Sequence, residues 1–148
     1  MLLQVVDDGG GVPGPLHAAR VARPGTDATL IAYGPMVQTC LDAAEAAAAE
    51  GHQLEVLDLR SLSPLDDAAI IASVERTGRC IVVHEAVRSG GLGAEIAARV
   101  SEACFLSLEA PVLRVTAYDI PYPPAKAEHA YLPDVDRVMD AVDRSMAY

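Results

Sequence analysis

Four short apolar runs alternate with stretches of helical spacing, and this alternation constrains the fold more than any other feature of the chain. The runs are "ATLIAY" (28–33), "LEVLDL" (54–59), "CIVVHE" (80–85) and "PVLRVTA" (111–117). Each is short and largely apolar, as a strand covered on both faces has to be. Between the first two, "MVQTCLDAAEAAAAEG" puts Val37, Cys40, Leu41, Ala44 and Ala48 on one helical face, with Gly51 placed as a C-cap. Ser63 and Pro64 read as the N-cap and first residue of a second helix. Asp66 and Asp67 fall at its positive end, Ile70, Ile71 and Val74 form its buried stripe, and Gly78 ends it. A third helix is predicted from Gly91 or Leu92 to Phe105, with Ile96, Val100 and Cys104 four residues apart and Ala97 beside them. Residues 119–132, rich in proline and tyrosine, read as a long loop. A last amphipathic helix uses Val135, Val138, Met139, Val142 and Met146. Strands alternating with helices predict an α/β three-layer sandwich: a mostly parallel sheet of about five strands with helices on both faces.

Residues 1–26 hold Gly9, Gly10, Gly11, Pro13, Gly14, Pro15, Pro24 and Gly25 with little periodicity. They read as a linker or arm, which leaves 27–148 as one folded domain. The formal net charge of -10 repels phosphate backbones, so nucleic acid is not an expected ligand and a basic protein partner fits better. No apolar run reaches the roughly 18 residues of a membrane span. The start, "MLLQVVDDGGGVPGP", has no basic n-region, which argues against a secretory signal. Cys40, Cys80 and Cys104 are far apart in sequence, sit in apolar contexts and form no CxxC pair. They read as buried reduced thiols rather than zinc ligands, which suits the cytoplasm.

Residues 82–100, "VVHEAVRSGGLGAEIAARV", bring together a strand, an acid/base pair, a glycine loop and a helix. The glycines are Gly90, Gly91 and Gly93, which is not the G-x-G-x-x-G spacing of a dinucleotide site. "GLGAE" also lacks the Lys-Ser/Thr that a Walker loop needs. A structural turn and a close helix–strand approach explain these glycines with fewer assumptions. His84 and Glu85 are neighbours on a strand and point to opposite faces, so a structural or interface role is assigned to both rather than joint catalysis. His17, His52 and His129 have no metal-ligand spacing, and no serine sits in a G-x-S-x-G elbow. No complete catalytic set, cofactor site or metal site is expected within the chain.

From Gly25 onward the chain resembles a known family. "GTDATLIAYGPMV", "LEVLDLRSLSPLD", "TGRCIVVHEAVRSGGLGAEIAARV", "CFLSLEAPVLRVTAYDIPYPPA" and "YLPD" occur in the order and register of the C-terminal domain of the beta subunit in the decarboxylating component of 2-oxo acid dehydrogenase complexes. That domain belongs to the wider transketolase C-terminal-like group. "HEA", "CFLSLEAP" and "AYDIPYP" look most like the branched-chain 2-oxo acid enzymes. The resemblance implies a part of a thiamine diphosphate- and magnesium-dependent enzyme that decarboxylates a 2-oxo acid and passes the acyl group to a lipoyl group. It places the cofactors outside this domain, with none bound by the domain itself. The implied partners are an alpha subunit, a second beta subunit and the subunit-binding domain of the acyltransferase core. Glu109, on the turn before Ala110-Pro111, is the residue the resemblance points to for docking, with the chain-terminal carboxylate at Tyr148 as a second contact. A non-enzymatic assembly or regulatory module of the same fold, and a fragment of a pyruvate, acetoin or transketolase-type enzyme, are the alternative readings.

Overall fold

The structure, a computed structural model, describes residue 15 and residues 17–148 of the chain. Its elements run β1 (Arg20–Arg23), β2 (Ala28–Ala32), α1 (Met36–Ala49), β3 (Leu54–Asp58), α2 (Asp67–Thr77), β4 (Cys80–Val87), α3 (Leu92–Ala103), β5 (Leu113–Ala117), α4 (Glu128–Tyr131) and α5 (Val135–Met146). They build one sheet in the order β1-β3-β2-β4-β5. β2, β3, β4 and β5 are mutually parallel, and β1 alone is antiparallel, paired to β3. Counted from β2, the parallel strands stand in the order 2-1-3-4, a doubly wound arrangement whose switch point lies between β2 and β4.

The period of two along each strand divides the core into two layers. Leu30, Val56, Ile81 and Val83 face α1 and α5, packing on Cys40, Ala44, Val138 and Val142. Ile31, Leu57 and Val82 face α2 and α3, packing on Ile70, Val74, Ile96 and Val100. Each such aliphatic side chain contributes roughly 1.5–3 kcal/mol on burial. Ala43, Ala44 and Ala47 on α1 are fully buried, and side chains this small let the helix lie close to the sheet. The three-layer α/β architecture is the one the strand–helix alternation predicts.

Four local expectations are corrected. The arm over 1–26 contains a strand: β1 covers Arg20–Arg23, while residues 1–14 and 16 lie outside the described residues. "RVAR" has no apolar run to announce it, and its edge position suits charged side chains, with Arg20 reaching Asp58 at 3.8 Å. Ser63 and Pro64 do not open α2. They stand in the preceding loop, and the N-cap is Asp66, whose side chain accepts from the Ala69 N–H at 3.1 Å and from the Ala19 N–H at 2.9 Å. The second of these bonds ties the helix start to β1, a tertiary contact that no local signal reports. The loop over 119–132 encloses a turn of 3-10 helix (Ala125–Ala127) and the short α4, and α3 ends at Ala103 rather than at Phe105.

Candidate functional site

His84 lies within β4, fully buried on the α3 side of the sheet, and Glu85 is half-buried on the other side. The imidazole Nε2 accepts a hydrogen bond from the Gly93 N–H at 3.1 Å, and the ring stacks on Tyr33 at 6.0 Å between centroids with planes 17° apart. The glycine loop is shaped by this ring. A Cβ on Gly93 would sit 2.2 Å from His84 Nε2; one on Gly91 would sit 2.3 Å from the Val87 carbonyl oxygen and 2.9 Å from His84 Cε1. Gly90 takes φ +76°, a left-handed conformation that side chains resist. The loop therefore wraps a histidine, and the Gly93 amide, which a phosphate would need, is already given to the imidazole.

Because Nε2 accepts, the neutral ring carries its proton on Nδ1, which is buried and makes no hydrogen bond of acceptable geometry. Burial holds the His84 pKa below its ordinary value of 6.5, the Ala86 backbone opposes this, and Arg114 adds to the lowering. Below pH 6.5 the unfolded chain takes up a proton at this ring that the folded chain resists, so stability falls as pH falls through that value and is unaffected above it. Chemical unfolding of wild type and His84→Gln across the pH range checks this. The difference between them should be constant above pH 6.5 and shrink in acid.

A second group gathers at the opposite end of the sheet, where the parallel strands begin and α2 and α5 end. An open cleft of about 580 Å³ is lined by Asp27, Glu75, Arg76, Arg79, Glu109 and Met146 among others. Glu109 caps it. Its N–H donates to the Gly78 carbonyl at 2.8 Å, its side chain is 60% exposed, and its carboxylate pairs with Arg79. Arg79 Nε also donates to the Ser145 carbonyl at 3.2 Å, which ties the turn to the end of α5. Tyr148, two residues beyond α5 and 73% exposed, follows Met146 of the same cleft. Beneath lies a buried polar cluster: Arg76 reaches in to Glu55, and the Thr29 and Thr77 hydroxyls bond each other at 2.8 Å. Glu55 is only 1% exposed.

Of the residues singled out from sequence, His84, Gly91 and Gly93 meet at one place, Glu85 stands across the sheet from them, and Glu109 and Tyr148 belong to the other end. Arg76, Arg79, Glu55 and Thr29 were missed. The available signal was Glu55 itself, a carboxylate inside the apolar run "LEVLDL". Among the described residues no group of three or more His, Cys, Asp and Glu is placed to hold a metal ion. A diphosphate does not fit either. Three carboxylates line the cleft, both of its arginines are already paired to carboxylates, and the glycine loop at 90–93 is filled by an imidazole. What the cleft can do is receive a cation on exposed carboxylate oxygens. The thiols stay out of reach: Cys40, Cys80 and Cys104 are buried, and burial pushes Cys40 up to about 12.

Residues 17–138 match the family described as transketolase, C-terminal domain. The chain is 57% identical over 136 residues to "Pyruvate dehydrogenase E1 component subunit beta" of Leifsonia xyli subsp. xyli, which covers 92% of this chain and 40% of that one. It is 52% identical over 131 residues to "3-methyl-2-oxobutanoate dehydrogenase subunit beta" of Mycobacterium tuberculosis, covering 88% of this chain and 38% of that one. Among solved structures, "Split gene transketolase, inactive beta4 tetramer" superposes with a TM-score of 0.76 at 27% identity, covering 92% of this chain and 43% of that one. The chain thus spans about 40% of the length of the curated relatives it matches.

Proposed function

The chain belongs to the transketolase C-terminal domain family, and on that premise we propose that it serves as the C-terminal domain of a 2-oxo acid dehydrogenase beta subunit. The observation that carries this reading is identity above 50% with beta subunits of two such dehydrogenases. The whole subunit takes part in oxidative decarboxylation of a 2-oxo acid and acyl transfer to a lipoyl group. Thiamine diphosphate and magnesium supply that chemistry from outside this domain. The role of this domain is contact: with an alpha subunit, with a second beta subunit, and with the subunit-binding domain of the acyltransferase. Its compartment is the cytoplasm, in keeping with three buried thiols. Among the described residues no helix is long and apolar enough to cross a membrane.

The docking surface is the acidic amino end of the sheet. Glu109 is exposed there with a neighbouring cleft, and Tyr148 is exposed on the same side. A basic partner would share Glu109 with Arg79, so Glu109 is offered already oriented. One expectation follows from assigning chemistry elsewhere. Calorimetric titration of this chain with thiamine diphosphate and magnesium should give no binding heat, and a micromolar dissociation constant would contradict the reading.

For the substrate we favour a branched-chain 2-oxo acid. "HEA" and "LEAP" support it, as does 50% identity with "2-oxoisovalerate dehydrogenase subunit beta" of Pseudomonas aeruginosa. The pyruvate dehydrogenase relative, at 57%, favours the smaller substrate. Turnover of 3-methyl-2-oxobutanoate and of pyruvate by the enzyme assembled from the whole reading frame and its alpha subunit decides between them. The branched substrate should be preferred by about tenfold or more in kcat/KM.

A further inference from the structure

Glu109 borders two neighbouring depressions. One is the cleft of about 580 Å³; the other is a groove of about 760 Å³ between α3 and the start of β5. The walls of the groove are apolar. Ala97, Ala98 and Ser101 form one side, and the Ser101 hydroxyl donates back to the Ala97 carbonyl at 2.7 Å, so it makes no demand on a ligand. Pro111 and Val112 stand on the other side, and Pro111 has no N–H to offer. Arg99, on the same helix, is drawn off to Asp67 of α2 at 2.9 Å. Phe105 lines the groove while 74% exposed, and Leu106 beside it is 95% exposed. The turn that carries them is fixed. The Ser107 and Leu108 N–H groups donate to the Cys104 carbonyl at 2.8 and 3.0 Å, and Cys104 is buried. Large apolar side chains held out beside an apolar groove are preorganised for contact.

Charge indicates what covers it. Among the described residues that line the groove, only Glu109 and Arg114 are charged. Glu109 precedes β5, where the parallel strands begin, and Arg114 lies within β5 opposite Val82, further toward the end where they finish. At most about 16 Å of chain separates the two, a span that a helix of about three turns matches. Walls built from alanine let the backbone of such a helix come close. A helix with one apolar face, a basic residue at one end and an acidic residue at the other is therefore complementary to the groove in shape, apolarity and charge. A partner whose basic group reaches Glu109 also lies over the groove, because the same carboxylate borders both depressions. An exposed ion pair by itself binds weakly, so a partner at Glu109 gains affinity by burying apolar anchors beside it.

We propose that the groove between α3 and β5 is the apolar half of the docking surface at Glu109. It takes a helix of the partner that docks there, apolar on one face, with a basic residue at Glu109 and an acidic residue at Arg114. This rests on the reading above that the subunit-binding domain of the acyltransferase docks at Glu109. Calorimetric titration of that domain into wild type, Glu109→Gln, Phe105→Ala and Ala98→Gln, at low and at high salt, tests it. Phe105 and Ala98 are exposed, so the melting curves of their variants should match that of wild type. Both variants should bind about tenfold more weakly at every salt concentration, because salt does not screen an apolar contact. Their heat-capacity change on binding should also be less negative. Wild-type affinity in both, with Glu109→Gln weakened, overturns the proposal and leaves the docking reading standing. Absence of binding to wild type removes the docking reading and this inference together. Sedimentation of this chain alone checks the other occupant. A dimer that Phe105→Ala and Ala98→Gln dissociate would place a second copy in the groove and also overturn the proposal.

Discussion

Gly93→Ala should destabilise this chain by about 3 kcal/mol. The new Cβ would fall 2.2 Å from His84 Nε2, and His84 is fully buried between β4 and α3. The ring has no solvent side to move into and is stacked on Tyr33, so α3 itself has to shift. That shift also lengthens the Gly93–His84 hydrogen bond, worth about 1 kcal/mol. Gly90→Ala is a useful contrast. Nothing lies near its Cβ, and only its positive φ resists, so about 1 kcal/mol is expected. Urea unfolding measures both. If the account is right, His84→Ala made together with Gly93→Ala costs less than the two changes summed, because the truncated side chain leaves room for the methyl. Additive losses would mean that the clash is not with His84.

The same stretch shows how far sequence reaches. "CIVVHE" is legible as a strand and "GLGAEIAARV" as the start of a helix because period and apolarity are local properties. The turn role of the glycines is legible too, since their spacing fits no phosphate loop. What is not legible is that Gly93 and His84, nine residues apart, are there for each other. That relation exists only once α3 has folded back on β4. β1 and Asp66 were hidden for the same reason. "RVAR" becomes a strand by pairing with β3, and Asp66 caps α2 while holding Ala19, so each is specified by a partner distant in sequence. Glu109 could be named from resemblance, but its pairing with Arg79 and the cleft below it belong to tertiary structure alone.

Arg76→Ala should be the second large effect, at about 2 kcal/mol. It leaves the Glu55 carboxylate, 1% exposed, without its countercharge. A fully buried pair broken in this way costs about 3–5 kcal/mol. The Arg76 side chain is half exposed, so water can replace part of the guanidinium and the cost is smaller. Adding Glu55→Gln to Arg76→Ala should recover at least half of the loss. A neutral amide tolerates the site, and Thr29 Oγ1 stands 3.5 Å from where a carboxylate oxygen was. A double variant no more stable than Arg76→Ala would show that the charge on Glu55 is not what the arginine offsets. Melting temperatures of the three variants suffice for the comparison.

We propose that this chain acts by contact, through an acidic surface at the amino end of its sheet. The most direct test is the affinity of the acyltransferase's subunit-binding domain for wild type and for Glu109→Gln at several salt concentrations. Substitution removes one anionic contact and also releases Arg79 from its partner, leaving a positive charge that faces a basic ligand. The fold should be little affected, since an exposed pair contributes at most about 1 kcal/mol. Glu109→Gln should lose at least about 1 kcal/mol of binding at low salt, and this loss should shrink as salt is added. Equal affinities of the two proteins at every salt concentration would contradict it.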